Sequence, residues 1–330
     1  MQNDFEKLLQ EVKIDIEKEF NLINSTMSLE LKNDIDLINN ITEYILMYSG
    51  KRLRSVLIIL IVKMLDNKNI DKAVFLSSAV EFIHMATLMH DDVIDEGILR
   101  HGVDTSNKIW GNKNSVLIGD FLFAKSFELM VKCNNINVLA TLSSSSSLIA
   151  KGEIMQMIFY GNFDITVDEY LSVIKHKTAY LFAAATKSAC MLTTDDITQV
   201  ESCFNYGMNL GFIFQIIDDL LDYFGKSDDT GKKIGKDFYE KKITLPLILL
   251  LKESNDGEKQ KIYHITENDR DLQGFLYIKD LMEKYNILKK LMDFISIYTN
   301  NAMENLANFE HNKYKQYLIA ILEKSIYRIK

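Results

Sequence analysis

One proline, Pro246, stands in a chain of 330 residues, so the residue that most firmly excludes helix interiors is almost missing. The three cysteines, Cys133, Cys190 and Cys203, show no paired metal-ligand spacing and leave an odd thiol, which fits a reducing cytoplasm. Long apolar runs are lacking too. Val56 to Val62 is one of the longest, far short of the ~20 residues of a membrane-spanning helix. The first twenty residues mix Asp, Glu and Lys, so no signal peptide is read and a soluble protein is expected. Basic residues fall short of acidic ones, 38 against 46, for a net charge of −8. That balance argues against nucleic acid as a partner, because backbone phosphates call for a basic surface. An anionic ligand of any kind would need metals or a few placed cations to attract it.

What the chain does have is apolar content, 47%, ample for a buried core. Apolar residues recur at three and four spacing, which predicts an almost wholly helical protein of about a dozen helices. Residues 1–48 read as two amphipathic helices broken near Asn24 to Ser28. Further breaks are expected at 66–71, 96–105, 134–137, 160–166, 193–198, 224–237, 253–258 and 267–271. None has the composition of an interdomain linker, so residues 1–330 are taken as a single all-α domain. The serine run Ser143 to Ser147, enclosed by apolar residues, is read as helix.

Two aspartate clusters of one form end strongly apolar stretches: Asp91-Asp92-Val93-Ile94-Asp95 and Asp218-Asp219-Leu220-Leu221-Asp222. Positions four apart on a helix are neighbours, so each cluster projects a pair of carboxylates, Asp91 with Asp95 and Asp218 with Asp222. Crowded carboxylates in apolar surroundings repel and lose solvation unless a cation offsets them. Hard oxygen donors suit Mg2+, which shares carboxylates with substrate phosphates. Two clusters facing each other would clamp a diphosphate. Other segments then gain meaning. Gly50-Lys51-Arg52-Leu53-Arg54 sets cations at a helix start, His84 lies two turns before Asp91, and Lys177-Thr178 begins an Ala-rich helix. Gly225 to Lys236 has the glycines and lysines of a lid over a phosphate.

Together these strings resemble the trans-prenyltransferase (polyprenyl diphosphate synthase) family from about Tyr48 to Leu251. The resemblance also rests on Glu81-Phe82-Ile83-His84, Leu99-Arg100, Gly119-Asp120-Phe121-Leu122, Gly152-Glu153 with Gln156, Phe214-Gln215 and Thr244-Leu245-Pro246-Leu247, in that order. It implies an all-α barrel of long antiparallel helices around a deep central cavity, and a homodimer. It also implies the reaction, elongation of an allylic prenyl diphosphate primer by isopentenyl diphosphate. By position, Asp91, Asp95 and Asp218 would bind Mg2+, with Asp92, Asp219 and Asp222 acting directly or through water. Lys51, Arg54 and His84 would hold isopentenyl diphosphate. Arg100, Lys177, Thr178, Gln215 and Lys232 or Lys233 would grip the allylic diphosphate. No protein nucleophile is implied, which agrees with the want of any conspicuous Ser–His or Cys–His pair.

Three departures from the family pattern stand out. Arg100-His101 replaces the usual Arg-Arg, and Ser49 and Ser55 replace the Gly and Pro that flank the basic turn, changes expected to alter backbone rather than charge. Ala86 and Thr87, five and four residues before Asp91, are small where bulky aromatics would form a floor. That implies an open tunnel and a long-chain product, centred on octaprenyl and suited to a quinone side chain. A short-chain farnesyl or geranylgeranyl synthase is the alternative. A class I terpene cyclase would have an Asn/Ser/Glu-type second metal motif instead of Asp218 to Asp222. His90-Asp91 could belong to a helical phosphohydrolase if further His and Asp ligands joined it. A non-catalytic synthase subunit would tend to lose the aspartate clusters, and both are intact.

Overall fold

The structure, a computed structural model, describes residues 4–65, 68–100, 102–225 and 234–326. Its first eleven α-helices are α1 Asp4–Asp15, α2 Glu17–Leu31, α3 Asp36–Met47, α4 Leu53–Leu65, α5 Ile70–Ile94, α6 Ser106–Trp110, α7 Asn112–Lys132, α8 Ile136–Phe159, α9 Val167–Ile174, α10 Tyr180–Met191 and α11 Ile197–Phe224. Six more follow among the described residues: α12 Lys236–Tyr239, α13 Leu245–Glu253, α14 Asp256–Asn268, α15 Leu272–Lys284, α16 Ile287–Ala307 and α17 Lys313–Ile326. A π-helical turn, Lys175–Ala179, joins α9 to α10. The β-structure among the described residues is a two-residue hairpin, β1 Leu99–Arg100 against β2 Val103–Asp104, antiparallel with Leu99 opposite Asp104.

Side-chain caps explain several helix starts. Asn135 and Asp196 accept backbone N–H groups at the N-termini of α8 and α11. Thr166 with Glu169, and Asn255 with Glu258, form capping boxes on α9 and α14. Pro246 falls in the first turn of α13, where its missing N–H is not needed. The serine run lies inside α8, with Ser146 Oγ bonded to Leu142 O and Ser145 Oγ to Tyr180 O.

The N-terminal segment differs from its sequence pattern. Helix α2 runs straight through residues 24–28, because Ile23, Met27 and Leu31 make one buried stripe at four-residue spacing. Tertiary burial there overrides the weak helix propensity of Asn-Ser-Thr. The breaks instead fall at buried Ile16 and at 32–35, where Asn33 Oδ1 accepts Ile35 N and Asn39 Nδ2 donates to Asn33 O. Residues 4–48 therefore form three helices, where two were expected over this N-terminal segment.

One hydrophobic cluster extends from Phe5 to Leu322. At its centre is α4, buried on every face, with α5, α10 and α17 packed against it. Helix α5 is long and apolar enough to cross a membrane by length and composition, which the short apolar runs did not reveal. However, 72% of its apolar window is buried inside the protein, as in a core helix. The π turn and α11 approach so closely that a Cβ on Gly211 would stand 2.5 Å from Ala179 Cα. Small residues at this crossing hold the π turn hard against the helix that carries the second aspartate cluster.

Candidate active site

Asp91 and Asp95 lie at the C-terminal end of α5, and Asp218, Asp219 and Asp222 in the last turns of α11. The π turn joins the two regions. Its extra backbone residue per turn presents Lys177 and Thr178 side by side, the kind of insertion often found at functional sites. Lys177 Nζ reaches Asp91 Oδ2 at 3.0 Å and Glu153 Oε2 of α8 at 2.7 Å. Thr178 Oγ1 donates to Gln215 Oε1 at 2.9 Å, and Gln215 Nε2 donates to Asp219 Oδ1 at 2.8 Å. From the other side, Lys242 Nζ contacts Asp95 Oδ2 at 2.7 Å and Glu240 Oε2 at 3.1 Å.

Charge governs this region. Burial, and then the neighbouring Asp91 charge, push the Glu153 carboxyl up to about 7, with Lys177 opposing. Burial works against the ammonium of Lys177, but Asp91 and Glu153 outweigh it and hold Lys177 above its ordinary range. Lys242 is likewise raised by Asp95 and Glu240 against the pull of burial. Each outer carboxylate that would serve a metal on α5 thus already has a cation at hydrogen-bonding distance. The donor set is hard oxygen in pairs. Among the described residues no group of three or more His, Cys, Asp or Glu converges on one point. Such pairs suit a hard divalent cation that completes its coordination with water and substrate phosphate.

The middle aspartates are engaged within the protein. Both oxygens of Asp92 accept from Arg100, Nε at 3.1 and 3.0 Å and an Nη at 2.8 Å. Both oxygens of buried Asp219 accept as well, from Gln215 and from the Tyr170 hydroxyl of α9. Burial pushes the Asp219 carboxyl up to about 7, the Tyr170 and Gln215 bonds oppose that, and Asp218 and Asp222 add to it. Each oxygen of Asp92 and Asp219 thus already accepts from a protein donor, and a carboxylate oxygen keeps a second lone pair for water or a cation. Asp222 takes Lys236 N at 3.0 Å and Asp237 N at 2.9 Å, ordering the first turn of α12. Asp237, half-buried near Asp222 and Asp219, is raised above the carboxylate range by loss of solvation and then by those two charges.

The basic turn lies on another side of α5. Lys51 pairs with Glu6 at 2.8 Å, and the Arg54 guanidinium lies 4.1 Å over the Phe182 ring. Burial lowers Arg54 to about 10, against the opposing charge of Glu81. His84 follows Glu81 by one helical turn, Ala86 is fully buried, and Thr87 Oγ1 donates to His84 O at 2.8 Å. Ser49 and Ser55 also make side-chain bonds: Ser49 Oγ accepts from Arg52 Nε at 2.8 Å and Ser55 Oγ donates to Glu81 at 2.8 Å. His101, Lys232 and Lys233 lie outside the described residues. His90 is committed to α7, 3.2 Å from Val116 O and 3.5 Å from Asp120. Together with the want of a converging His/Asp group among the described residues, this sets the phosphohydrolase reading aside.

Sequence reasoning missed Tyr170, Lys242 and Asp237 and left Glu153 and Glu81 without roles. Their partners are 15 to 147 residues away in sequence, and only an acidic or aromatic residue inside a matched string could have pointed to them.

Comparison with known proteins agrees with this arrangement. Residues 35–282 match the polyprenyl synthetase family. The octaprenyl diphosphate synthase of Escherichia coli K12 is 37% identical over 240 residues, 73% of this chain and 74% of that protein. Among solved structures, a decaprenyl diphosphate synthase from Rhodobacter capsulatus superposes with a TM-score of 0.92 at 34% identity, covering 98% of this chain and 99% of that one. A polyprenyl synthase from Caulobacter crescentus, complexed with calcium and isoprenyl diphosphate, gives 0.88 at 33% identity over 99% and 98%. With the all-α isoprenoid synthase architecture shared along nearly its whole length, this chain belongs to the polyprenyl synthetase family and is a prenyltransferase.

Proposed function

We propose that the chain is a long-chain all-trans polyprenyl diphosphate synthase, condensing isopentenyl diphosphate successively onto an allylic diphosphate. The observation that carries this reading is the link between the two aspartate clusters, Asp91 to Lys177 on one side of the π turn and Thr178 to Gln215 on the other. Lys177, Thr178, Gln215, Arg100 and Lys232 are the groups we assign to the allylic diphosphate. Lys51, Arg54 and His84 are assigned to isopentenyl diphosphate. Asp91, Asp95 and Asp218 would hold Mg2+, whose charge stabilises a departing diphosphate. Lys177 and Lys242 orient the outer carboxylates and add positive charge where the leaving group collects negative charge. Arg100 must exchange Asp92 for a phosphate to take part. The chain supplies no nucleophile, and the released diphosphate takes the final proton.

Product length follows from α5. Ala86 and Thr87 are both small, one turn below Asp91, so the growing chain meets no aromatic floor at these positions. The octaprenyl and decaprenyl relatives support a hexaprenyl-to-decaprenyl product, suited to a quinone side chain. A homodimer fits the apolar stripe on α7, where Leu117, Phe127 and Val131 are 55, 39 and 65% exposed. Three buried free thiols accord with a reducing, cytoplasmic setting. The test is Ala86→Phe, which should shorten the product to about farnesyl or geranylgeranyl length because an overpacked ring resists displacement. An active variant with unchanged products would defeat the long-tunnel reading.

A further inference from the structure

The basic turn is built from unfavourable backbone. Gly50 has φ 71° and Arg52 φ 49°, the latter in the left-handed region that a long side chain seldom adopts. Two sets of contacts hold it there. Arg52 belongs to the scaffold: Nε donates to Ser49 Oγ at 2.8 Å, one Nη to Leu46 O at 3.3 Å, and the other Nη to Asn24 Oδ1 and to Met27 Sδ at 3.5 Å. On the far side, Ser55 N and Ser55 Oγ both donate to Glu81 Oε1, at 3.2 and 2.8 Å. Ser55 is fully buried and Glu81 is 1% exposed. A proline at 55 could make neither bond.

A carboxylate so deeply buried is unfavourable unless its partners recover the lost hydration. Its surroundings show what it does in return. Arg54, Arg52 and Lys13 all lie within the field of Glu81, and buried Arg54 Nε has no protein partner. Glu81 also precedes His84 by one turn, on the same face of α5. It thus touches, through Ser55, the first turn of α4 that carries Arg54, while sharing a helix with the third presumed ligand.

We propose that Glu81 is a positioning residue for the isopentenyl diphosphate half of the site, fixing Lys51 and Arg54 relative to His84 through its bonds to Ser55. The inference rests on assigning Lys51, Arg54 and His84 to that diphosphate, as above. Glu81 itself, an anion, stays off the substrate. Its effect is confined to one of the two substrates.

The experiment is steady-state kinetics of the full-length enzyme, each diphosphate varied in turn. Glu81→Leu, which removes the oxygen that accepts both Ser55 bonds, should raise KM for isopentenyl diphosphate about tenfold or more, with kcat and the allylic KM within about twofold, as expected when a placed cation is displaced from ground-state binding. Ser55→Ala should move the same KM in the same direction, and Ser55→Thr, which keeps the hydroxyl, should restore it. The serine pair decides the matter even if Glu81→Leu does not fold. Equal losses for both substrates, or an unchanged isopentenyl KM in Ser55→Ala, would overturn the proposal. Lys51→Ala separates the two levels of argument: if it leaves that KM unchanged, the underlying site assignment fails instead.

Discussion

Gly152 offers the sharpest perturbation of the active site without replacing any group assigned to substrate or metal. It lies on α8 against the π turn, where a Cβ would stand 2.5 Å from Lys177 N and 2.9 Å from both the carbonyl carbon and Cβ of His176. Ordinary contact begins at 3.4 Å, so alanine must drive the turn back by about 0.9 Å at Lys177, and the obstructing atoms are backbone. Lys177 Nζ, now 3.0 Å from Asp91 and 2.7 Å from Glu153, would move with it. A misplacement of about 1 Å in a catalytic constellation costs on the order of 10²-fold in rate, and overpacking costs roughly 1–3 kcal/mol in stability. Gly152→Ala should therefore lose about 10²-fold in initial condensation rate while remaining folded. Gly257→Ala is the control, because its added Cβ meets only Asn255 Oδ1 at 3.4 Å, and it should keep wild-type rate. Rate and urea midpoint measured in parallel decide the point. Gly152→Ala with activity within about threefold of wild type would refute the claim that the π turn's position matters to this degree.

Further outcomes concern metals, a buried network and acid stability. Asp91→Ala and Asp218→Ala should each lower turnover by several orders of magnitude with helical circular dichroism intact, since charge stabilisation at the leaving group supplies much of the barrier reduction; near-normal turnover in either would remove that residue from the metal set. Tyr170→Phe leaves one oxygen of buried Asp219 unpaired, a loss of roughly 1–3 kcal/mol in the urea midpoint analysis. Because burial raises Asp219 to about 7, that loss applies to its ionised form, and in metal-free protein it should shrink between pH 8 and pH 6; a pH-independent loss would contradict it. Hydrogen bonds from Lys284 and then Tyr285 hold Glu258 at about 2, below its ordinary 4.5. The stabilisation is present above that ordinary value and fades as pH falls toward 2. Glu258→Gln should have a lower thermal midpoint than wild type at neutral pH, and the gap should close on acidification; a gap that persists at pH 2 would rule this out.

Much of the architecture was legible because it is written locally. Four-residue spacing in Asp91–Asp95 and Asp218–Asp222, and Asx residues before α8, α11 and α14, follow from the helix repeat and its capping chemistry. What escaped depends on partners distant in sequence. Asp92 and Asp219 look like their outer neighbours in the primary structure, yet Arg100 and Tyr170 engage them within the protein. Lys242 looks like any loop lysine until the fold brings it 147 residues back to Asp95. The π turn was invisible for another reason: Lys175–Ala179 has ordinary helical composition, and only packing against Gly152 and Gly211 shows its displaced backbone. At Asn24 to Ser28 a local signal misled, because burial of Ile23 and Met27 outweighs propensity.

Chain length of the wild-type product tests the central claim most directly. Purified enzyme with Mg2+, labelled isopentenyl diphosphate and a farnesyl primer should give, after dephosphorylation and reversed-phase chromatography, all-trans products in the hexaprenyl-to-decaprenyl range centred on octaprenyl. Accumulation of products no longer than geranylgeranyl, or failure to elongate any allylic primer, would contradict it.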